Sequence, residues 1–133
     1  MNLAGVRTGL KTALETIDGL RVYDFEVDLP VFPAAVVRFP ETINVPAVLG
    51  GGWDYTIPIT LLLERGSAQA TDDLLETLLA EDGDRSIVAA IHADPTLGGA
   101  CDSAAVREVT NFDYPTIGRS ECVACEIMVE VMT

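Results

Sequence analysis

The C-terminal stretch ECVACEIMVEVMT, residues 121–133, decides the fold of this chain. One set of apolar residues recurs there at every second position: Val123, Cys125, Ile127, Val129 and Val131. Alternation at period two predicts a β-strand with a buried face. The other face is also mostly apolar, and it carries Cys122, Ala124, Glu126, Met128, Glu130 and Met132. Because a strand that is apolar on both faces requires cover on both, we expect the chain's own helices on one face and another subunit on the second.

The residues before this strand predict its partner. A short helix capped by Ser86 stops at Asp94-Pro95, and a turn at residues 97–99 follows it. Residues 104–114 and 121–131 are then two extended segments on either side of Thr116-Ile117-Gly118. This spacing predicts a C-terminal antiparallel β-hairpin.

The N-terminal part of the chain predicts two helices and three strands. Apolar residues at steps of three and four predict a helix from an Asn2 cap to Ile17, ended by Asp18-Gly19. Strands are predicted over residues 20–27, 34–39 and 55–64, and Pro58 suggests an edge or a bulge in the last of them. A second helix is predicted to begin near Thr71 and to end at residues 81–84.

The predicted order of elements is α, β, β, β, α, α, β, β. It indicates a single α+β domain over residues 1–133, with a long loop at residues 40–54. We expect a mixed or antiparallel β-sheet of four to five strands, with two to three helices packed on it and the β-hairpin at the C-terminus.

Composition and charge exclude several classes of protein. The chain has 133 residues, 49% hydrophobic and 22% charged, which is the composition of a folded domain. No apolar run approaches the roughly 18 residues of a membrane span, and Thr8, Gly9 and Thr12 interrupt any signal-peptide core. We therefore expect the chain to stay in the cytoplasm, away from membranes. The net charge of −13 also disfavours adhesion to nucleic acid or anionic lipid.

The candidate catalytic and metal-binding groups are sparse. His92 is the only histidine, with Asp94, Ser86 and Ser103 nearby in sequence, but no Gly-x-Ser-x-Gly turn accompanies them. A small hydrolase that uses His92 is therefore a remote alternative, and we interpret His92 as a surface residue near a helix end. Residues 81–84, EDGD, lack the spaced ligands and distal Glu of a calcium loop, and we interpret them as a solvated helix end.

The three cysteines predict buried thiols. Cys122 and Cys125 have the spacing of half a zinc site, but positions three apart in a strand point to opposite faces. With Cys101 and His92 the chain has four candidate zinc ligands, but no second Cys pair completes a zinc motif. We expect no catalytic residue, no cofactor and no metal, and hence a protein that is not an enzyme.

Two segments are predicted to contact partners. The loop supplies Val48, Leu49, Trp53 and Asp54, and aromatic anchors are typical of interface hot spots. The alternative for this loop is disorder, with Trp53 covering the core. Gly50-Gly51-Gly52 precedes a strand rather than a helix, so we interpret it as a flexible hinge and not as a phosphate loop. The hairpin tip supplies Pro115, Ile117 and Arg119.

Several short motifs occur in an order and spacing that resemble one family. They are residues 19–24 (GLRVYD), 33–37 (PAAVV), 53–59 (WDYTIPI), 93–100 (ADPTLGGA) and 129–131 (VEV). Together they resemble the tail terminator proteins of long-tailed (siphovirus-type) phages, especially phages that infect actinobacteria. The similarity spans nearly the whole chain, and residues 93–100 are its most specific part.

The resemblance implies a structural virion protein assembled in the host cytoplasm. Such a protein forms a homo-oligomeric ring, commonly a hexamer, at the junction of tail and neck. The ring caps the head-proximal end of the viral tail tube, ends polymerisation of the tube protein, and offers a surface for neck and head-completion proteins in head-tail joining. Genomic DNA passes through its bore without specific binding, which suits an acidic chain. A head-completion or neck connector protein is the alternative, since it is also small, acidic and ring-forming.

Overall fold

The computed structural model describes residues 3–25, 27, 28, 30–66 and 68–133. Within them the fold is α+β, as predicted. The helices are α1 (Leu3–Glu15), α2 (Ala68–Leu78) and α3 (Ile87–His92). The strands are β1 (Arg21–Tyr23), β2 (Ala34–Val37), β3 (Thr42–Asn44), β4 (Asp54–Glu64), β5 (Ser103–Asp113), β6 (Thr116–Ile117) and β7 (Ser120–Met132). The short strands β3 and β6 lie beyond the four to five that the sequence predicts.

The strands form one mixed sheet. Its order is β1-β2-β4-β7-β5, with β3 paired to β4 and β6 paired to the start of β7. The pair β1 and β2 is parallel, and the other pairs are antiparallel. The strand β7 therefore lies inside the sheet, hydrogen-bonded to β4 along its whole length and to β5 on the other side.

The helices cover one face of this sheet and form the main core with it. The period-two residues of β7 are buried there, from 8% exposed at Val123 to 0% at Val131. Leu10 and Leu14 of α1 and Ile91 of α3 are fully buried against the same face. The predicted helix cover of β7 is confirmed, because the apolar stripes of the helices match the apolar face of the strand.

The second face of β7 is better covered within the chain than the sequence predicts. Cys122 and Met128 are 0% and 6% exposed, although the described helices lie on the other face, and Met132 alone among its large apolar residues is well exposed. Ala124 packs on a second, smaller cluster formed by Ala34, Val36 and Leu62, with Ile117 of β6 beside it. The chain therefore buries Cys122 and Met128 of this face without a partner, and cover of the remaining exposed part by a second subunit stays a prediction.

The local signals around the helices are mostly confirmed. Ser86 caps α3, since its Oγ accepts a hydrogen bond from the Ala89 backbone N–H at 3.1 Å. The helix α2 begins at Ala68, three residues before the predicted start. The predicted cap Asn2 lies outside the described residues. Of the predicted strand at residues 20–27, Arg21–Tyr23 form β1 and bends follow at residues 24 and 25, while Glu26 lies outside the described residues.

Pro58 is not on an edge, which corrects one of the two alternatives predicted from it, an edge or a bulge. The strand β4 is hydrogen-bonded on both sides, to β7 on one and to β2 and β3 on the other. Pairing to β2 ends at Ile59, and pairing to β3 begins at Thr56. Pro58 thus lies where β4 passes from one partner strand to the next, opposite Arg38, and its missing N–H leaves the Arg38 carbonyl without a ladder bond.

Candidate interaction surfaces

The predicted loop at residues 40–54 contains a strand, which corrects its description as a loop. The strand β3 pairs antiparallel with β4 in the register Thr42 with Thr56, Ile43 with Tyr55 and Asn44 with Asp54. No sequence pattern predicts this pairing, because β3 is only three residues long and all three are exposed. Residues 42–56 are therefore a β-hairpin that extends beyond the end of the sheet.

The glycines of this hairpin form a tight turn rather than an open linker. Gly50 has φ +82°, and the Gly51 N–H donates to the Val48 carbonyl at 3.0 Å. A Cβ at Gly52 would lie 2.6 Å from the carbonyl oxygen of Thr133. Beside it, Trp53 and Thr133 exchange two backbone hydrogen bonds of 3.0 and 2.8 Å. Glycine is required here for the turn and for the close approach of the C-terminal residue, so the hinge interpretation does not describe this segment.

The hairpin exposes an apolar and uncharged surface. We call its four exposed apolar side chains the hairpin surface: Ile43 (44% exposed), Val45 (65%), Val48 (69%) and Leu49 (106%). Residues 42–53 contain no charged side chain, which makes them the longest uncharged run in a chain of net charge −13. Contiguous exposed apolar surface of this kind is typical of interaction sites.

The other two residues predicted in this segment are less exposed. Trp53 is half-buried and packs against the main core, as its alternative interpretation held. Asp54 is half-buried at the start of β4. A contact role for these four residues stays a prediction, and Val48 and Leu49 are the two that project into solvent.

The second predicted contact region lies at the far end of the sheet. Pro115 and Ile117 are half-buried, because the Pro115 carbonyl accepts from the Cys122 N–H at 2.9 Å and Ile117 packs on the smaller cluster. Arg119 is exposed at the turn. Ten residue steps of β4 separate the two ends of the sheet, about 33 Å at the usual rise of a strand. The structure therefore places the two predicted regions apart, at opposite ends.

A cavity that the sequence did not predict lies beside the gap between β2 and β3. Its volume is about 760 Å³, and it is lined by Arg7, Asp24, Phe25, Val36, Val37, Arg38, Phe39, Glu41, Pro58 and Glu126. Phe25 and Phe39 are 63% and 69% exposed at its rim. We call this the aromatic cavity. Sequence reasoning missed it because Phe25 and Phe39 were assigned to regular strands that end before them.

Arg7 of α1 builds the wall of this cavity. The Arg38 N–H donates to the Pro58 carbonyl at 3.1 Å, but proline has no N–H to return a bond to the Arg38 carbonyl. The Arg7 guanidinium supplies the donor instead, with Nε 3.3 Å from that carbonyl and Nη2 3.0 and 2.6 Å from the carbonyls of Val37 and Asp24. It also lies 4.3 Å from the centre of the Phe39 ring, a cation–π contact that orients this exposed side chain.

The charges around the aromatic cavity nearly balance. Arg7 and Arg38 line it together with the carboxylates of Asp24, Glu41 and Glu126. Arg38 Nε donates to Thr60 Oγ1 at 2.6 Å, and Glu126 Oε2 accepts from Asn111 Nδ2 at 3.0 Å. With two cations against three carboxylates, this surface is much closer to neutral than the chain as a whole.

His92 has a structural partner at the free edge of the sheet. Its Nε2 accepts a hydrogen bond of 3.1 Å from the Val106 backbone N–H on the outer side of β5. Asp94 Oδ1 accepts from the Gly98 N–H at 3.2 Å, and the buried Ser86 hydroxyl donates to the Ala80 carbonyl. Ser86 and His92 also lie at opposite ends of α3, about 9 Å apart along its axis. The structure does not bring the groups of the remote hydrolase alternative together.

The cysteines are buried free thiols, as predicted. Cys101, Cys122 and Cys125 are 8%, 0% and 1% exposed. Burial, with a smaller contribution from Glu126, raises the pKa of the Cys125 thiol to about 11. In the described part of the chain, no three His, Cys, Asp or Glu side chains gather into a group that could hold a metal ion.

No protein-family model matches the chain, and the search of curated proteins gave no match. Among the residues described, none of the helices combines the length and the hydropathy needed to cross a membrane. The geometry and chemistry of these surfaces are therefore the structural basis for assigning a function.

Proposed function

We propose that this chain is a structural phage protein, a ring-forming tail terminator that caps the head-proximal end of the tail tube. The observation that carries the proposal is the position of two separate contact regions at opposite ends of β4 and β7. A subunit of a ring that joins a tube to a neck needs separate surfaces for its neighbouring copy and for its other partners. A sheet with one exposed hairpin at each end offers such separate surfaces.

The resemblance in sequence supports the same function. Its most specific stretch, residues 93–100, forms the turn between α3 and β5, where Leu97, Gly98 and Gly99 all have positive φ. A Cβ at Gly9 of α1 would lie 2.7 Å from the Leu97 side chain, so α1 packs closely on this turn. The stretch thus has a packing role, in keeping with a family defined by architecture rather than by catalysis.

The charge of the chain supports a position around DNA. At −13, its carboxylates repel phosphates, so DNA slides through a ring of such subunits without specific binding. Six copies, a site at the tail-neck junction of the virion, and contacts with the tube protein and a head-completion protein belong to this proposal.

Electron microscopy of particles assembled without this chain tests the proposal. We expect tails of uncontrolled length that fail to join heads, since nothing ends tube polymerisation. Supplying the wild-type chain during assembly is expected to restore a single tail length. Tails of normal length in its absence would contradict the proposal.

Binding of the purified chain separates the proposal from its alternatives. A tail terminator binds the ends of tail tubes, whereas a head-completion protein binds capsid connectors. Binding to connectors alone would favour the head-completion class and exclude the terminator. Hydrolytic activity that disappears on His92→Gln substitution would contradict both structural functions.

A further inference from the structure

The hairpin surface and the aromatic cavity are two complementary parts of one contact. We infer that the hairpin surface of one copy of this chain docks into the aromatic cavity of the next copy, an inference that rests on the proposed ring. Both surfaces are exposed in the single chain, and both present apolar side chains: Ile43, Val45, Val48 and Leu49 on the hairpin, and Phe25 and Phe39 on the cavity rim.

The hairpin has the properties of a surface that must be covered. The strand β3 has its outer edge unpaired in the described sheet, and no charged residue protects it between residues 42 and 53. Natural sheets usually protect a free edge with charges, proline or bulges, because a bare apolar edge recruits other chains. The short length of β3 and Pro46 limit pairing through the backbone, but the hairpin carries four exposed apolar side chains and no charge, which fits a partner that covers side chains.

Charge favours a second copy as that partner. Two chains of net charge −13 repel each other except where they meet through surface with little charge. The hairpin carries no charge, and the cavity holds two cations against three carboxylates. These two surfaces can meet between copies without placing like charges together. A nucleic acid or a strongly charged protein would gain no electrostatic attraction from an uncharged hairpin.

The cavity is already shaped to receive apolar side chains. Arg7 fixes the Phe39 ring by its cation–π contact, and Phe25 packs edge-on against Tyr23 with ring centres 6.1 Å apart. Aromatic side chains held in place before binding lose less conformational entropy when a partner arrives. Val36 and Pro58 line the cavity beside them.

The hairpin cannot fill the cavity of its own chain. The strand β3 runs from Thr42 opposite Thr56 to Asn44 opposite Asp54, so its tip leads away from Pro58 on the cavity wall. Asp54 and Pro58 alone are about 13 Å apart along β4. Since donor and acceptor are different surfaces, the contact is head-to-tail, and repetition closes a ring when the rotation between copies allows it.

Cysteine cross-linking between two separately purified variants tests this contact. One variant carries Leu49→Cys on the hairpin and the other Phe39→Cys on the cavity rim, while the three native thiols are buried. After oxidation of the mixture, we expect a disulfide-linked dimer that neither variant forms alone. Because each variant has one new cysteine, a bond within a chain cannot produce this dimer. Phe112→Cys, exposed on β5, replaces Phe39→Cys in the matched control and is expected to give no dimer with Leu49→Cys.

The possible outcomes separate this inference from the proposed function. A dimer in Leu49→Cys alone would show that two hairpins meet each other, which overturns the head-to-tail contact. Association of the chains by sedimentation without a cross-link in the mixture would overturn the inference and leave the ring proposal standing. A mixture that stays monomeric in sedimentation and gives no cross-link, yet restores tail length in particles, would overturn the inference and leave the proposed function standing. Phe39→Ala is expected to raise the dissociation constant for association between copies at least tenfold.

Discussion

Two of the free edges of the sheet, those on β5 and on β3, differ in how they meet solvent. On β5, His92 accepts a hydrogen bond from the Val106 N–H, and the register with β7 shifts twice. Arg107 and Glu108 also place charge on this strand. On β3 the edge is short, uncharged and flanked by exposed apolar residues. Bulges and charges are the devices by which sheets avoid unwanted pairing. We infer from the comparison that the β5 edge avoids pairing with other chains and that the β3 hairpin binds a partner.

Charging the hairpin surface should have the largest effect. We expect the double variant Val48→Asp with Leu49→Asp to weaken association more than a hundredfold, because each buried side chain of this size contributes about 1.5 kcal/mol or more. The free energy of unfolding should stay within about 0.5 kcal/mol of wild type, since both side chains are exposed in the single chain. Analytical ultracentrifugation and urea unfolding measure the two quantities.

The matched control for this variant lies on the other edge. Phe112→Asp places one carboxylate on β5, where the wild-type ring is 53% exposed, and it is compared with Leu49→Asp alone, which adds the same single charge to the hairpin surface. We expect association to remain unchanged in Phe112→Asp. Equal losses from both edges would mean that total charge, and not the hairpin surface, governs association.

Removing the Arg7 guanidinium should have the next largest effect. Arg7→Met leaves the carbonyls of Arg38, Val37 and Asp24 without this donor at the gap behind the β3 hairpin. Hydrogen bonds from a charged group contribute about 1.5–3 kcal/mol, so a loss of about 2–3 kcal/mol in the free energy of unfolding is expected. Arg7→Lys keeps the charge without the planar fork and should recover only part of it. Stability unchanged in both variants would show that water replaces the guanidinium.

Much of the fold could be predicted from local patterns. The period-two run in β7, the Ser86 cap of α3 and the C-terminal hairpin depend on neighbouring residues, and the structure confirms all three. The short strand β3 and the central place of Pro58 depend on pairing between distant segments. A single sequence carries no record of which strand lies opposite Pro58, so the edge prediction was wrong.

Releasing the β5 edge should have a smaller effect. His92→Ala removes the acceptor for the Val106 N–H, which is exposed enough for water to replace it. We expect a loss of about 0.5 kcal/mol in the free energy of unfolding together with more non-specific aggregation. His92→Gln retains an acceptor and is the control, with light scattering as the measurement. Aggregation that is equal in both variants would show that the bulges alone protect this edge.

The candidate surfaces were predicted only in part. Val48 and Leu49 are exposed at the end of the sheet, where an interface residue must be. The aromatic cavity was missed, because it depends on Arg7 reaching from α1 across the gap that Pro58 faces. Three segments distant in sequence meet there, and no spacing rule connects them. The burial of Met128 within the chain was not predicted, because it depends on packing between distant segments.

Between the two edges, the buried thiol of Cys125 should give an effect that is confined to high pH. Its pKa is raised from 9.0 to about 11, so the folded state favours the neutral thiol. The stabilisation is complete below pH 9.0 and declines as the pH rises toward about 11, because the unfolded chain releases its proton first. Chemical unfolding across this window should give a shallower decline in Cys125→Ala than in wild type. Equal slopes would contradict a protonated, buried thiol.

Amide hydrogen exchange of the free and the assembled protein tests the difference between the two edges most directly. The account predicts that residues 42–53 become protected on assembly, while residues 107–113 exchange at the same rate in both states. Protection that appears at residues 107–113 and not at residues 42–53 would contradict it.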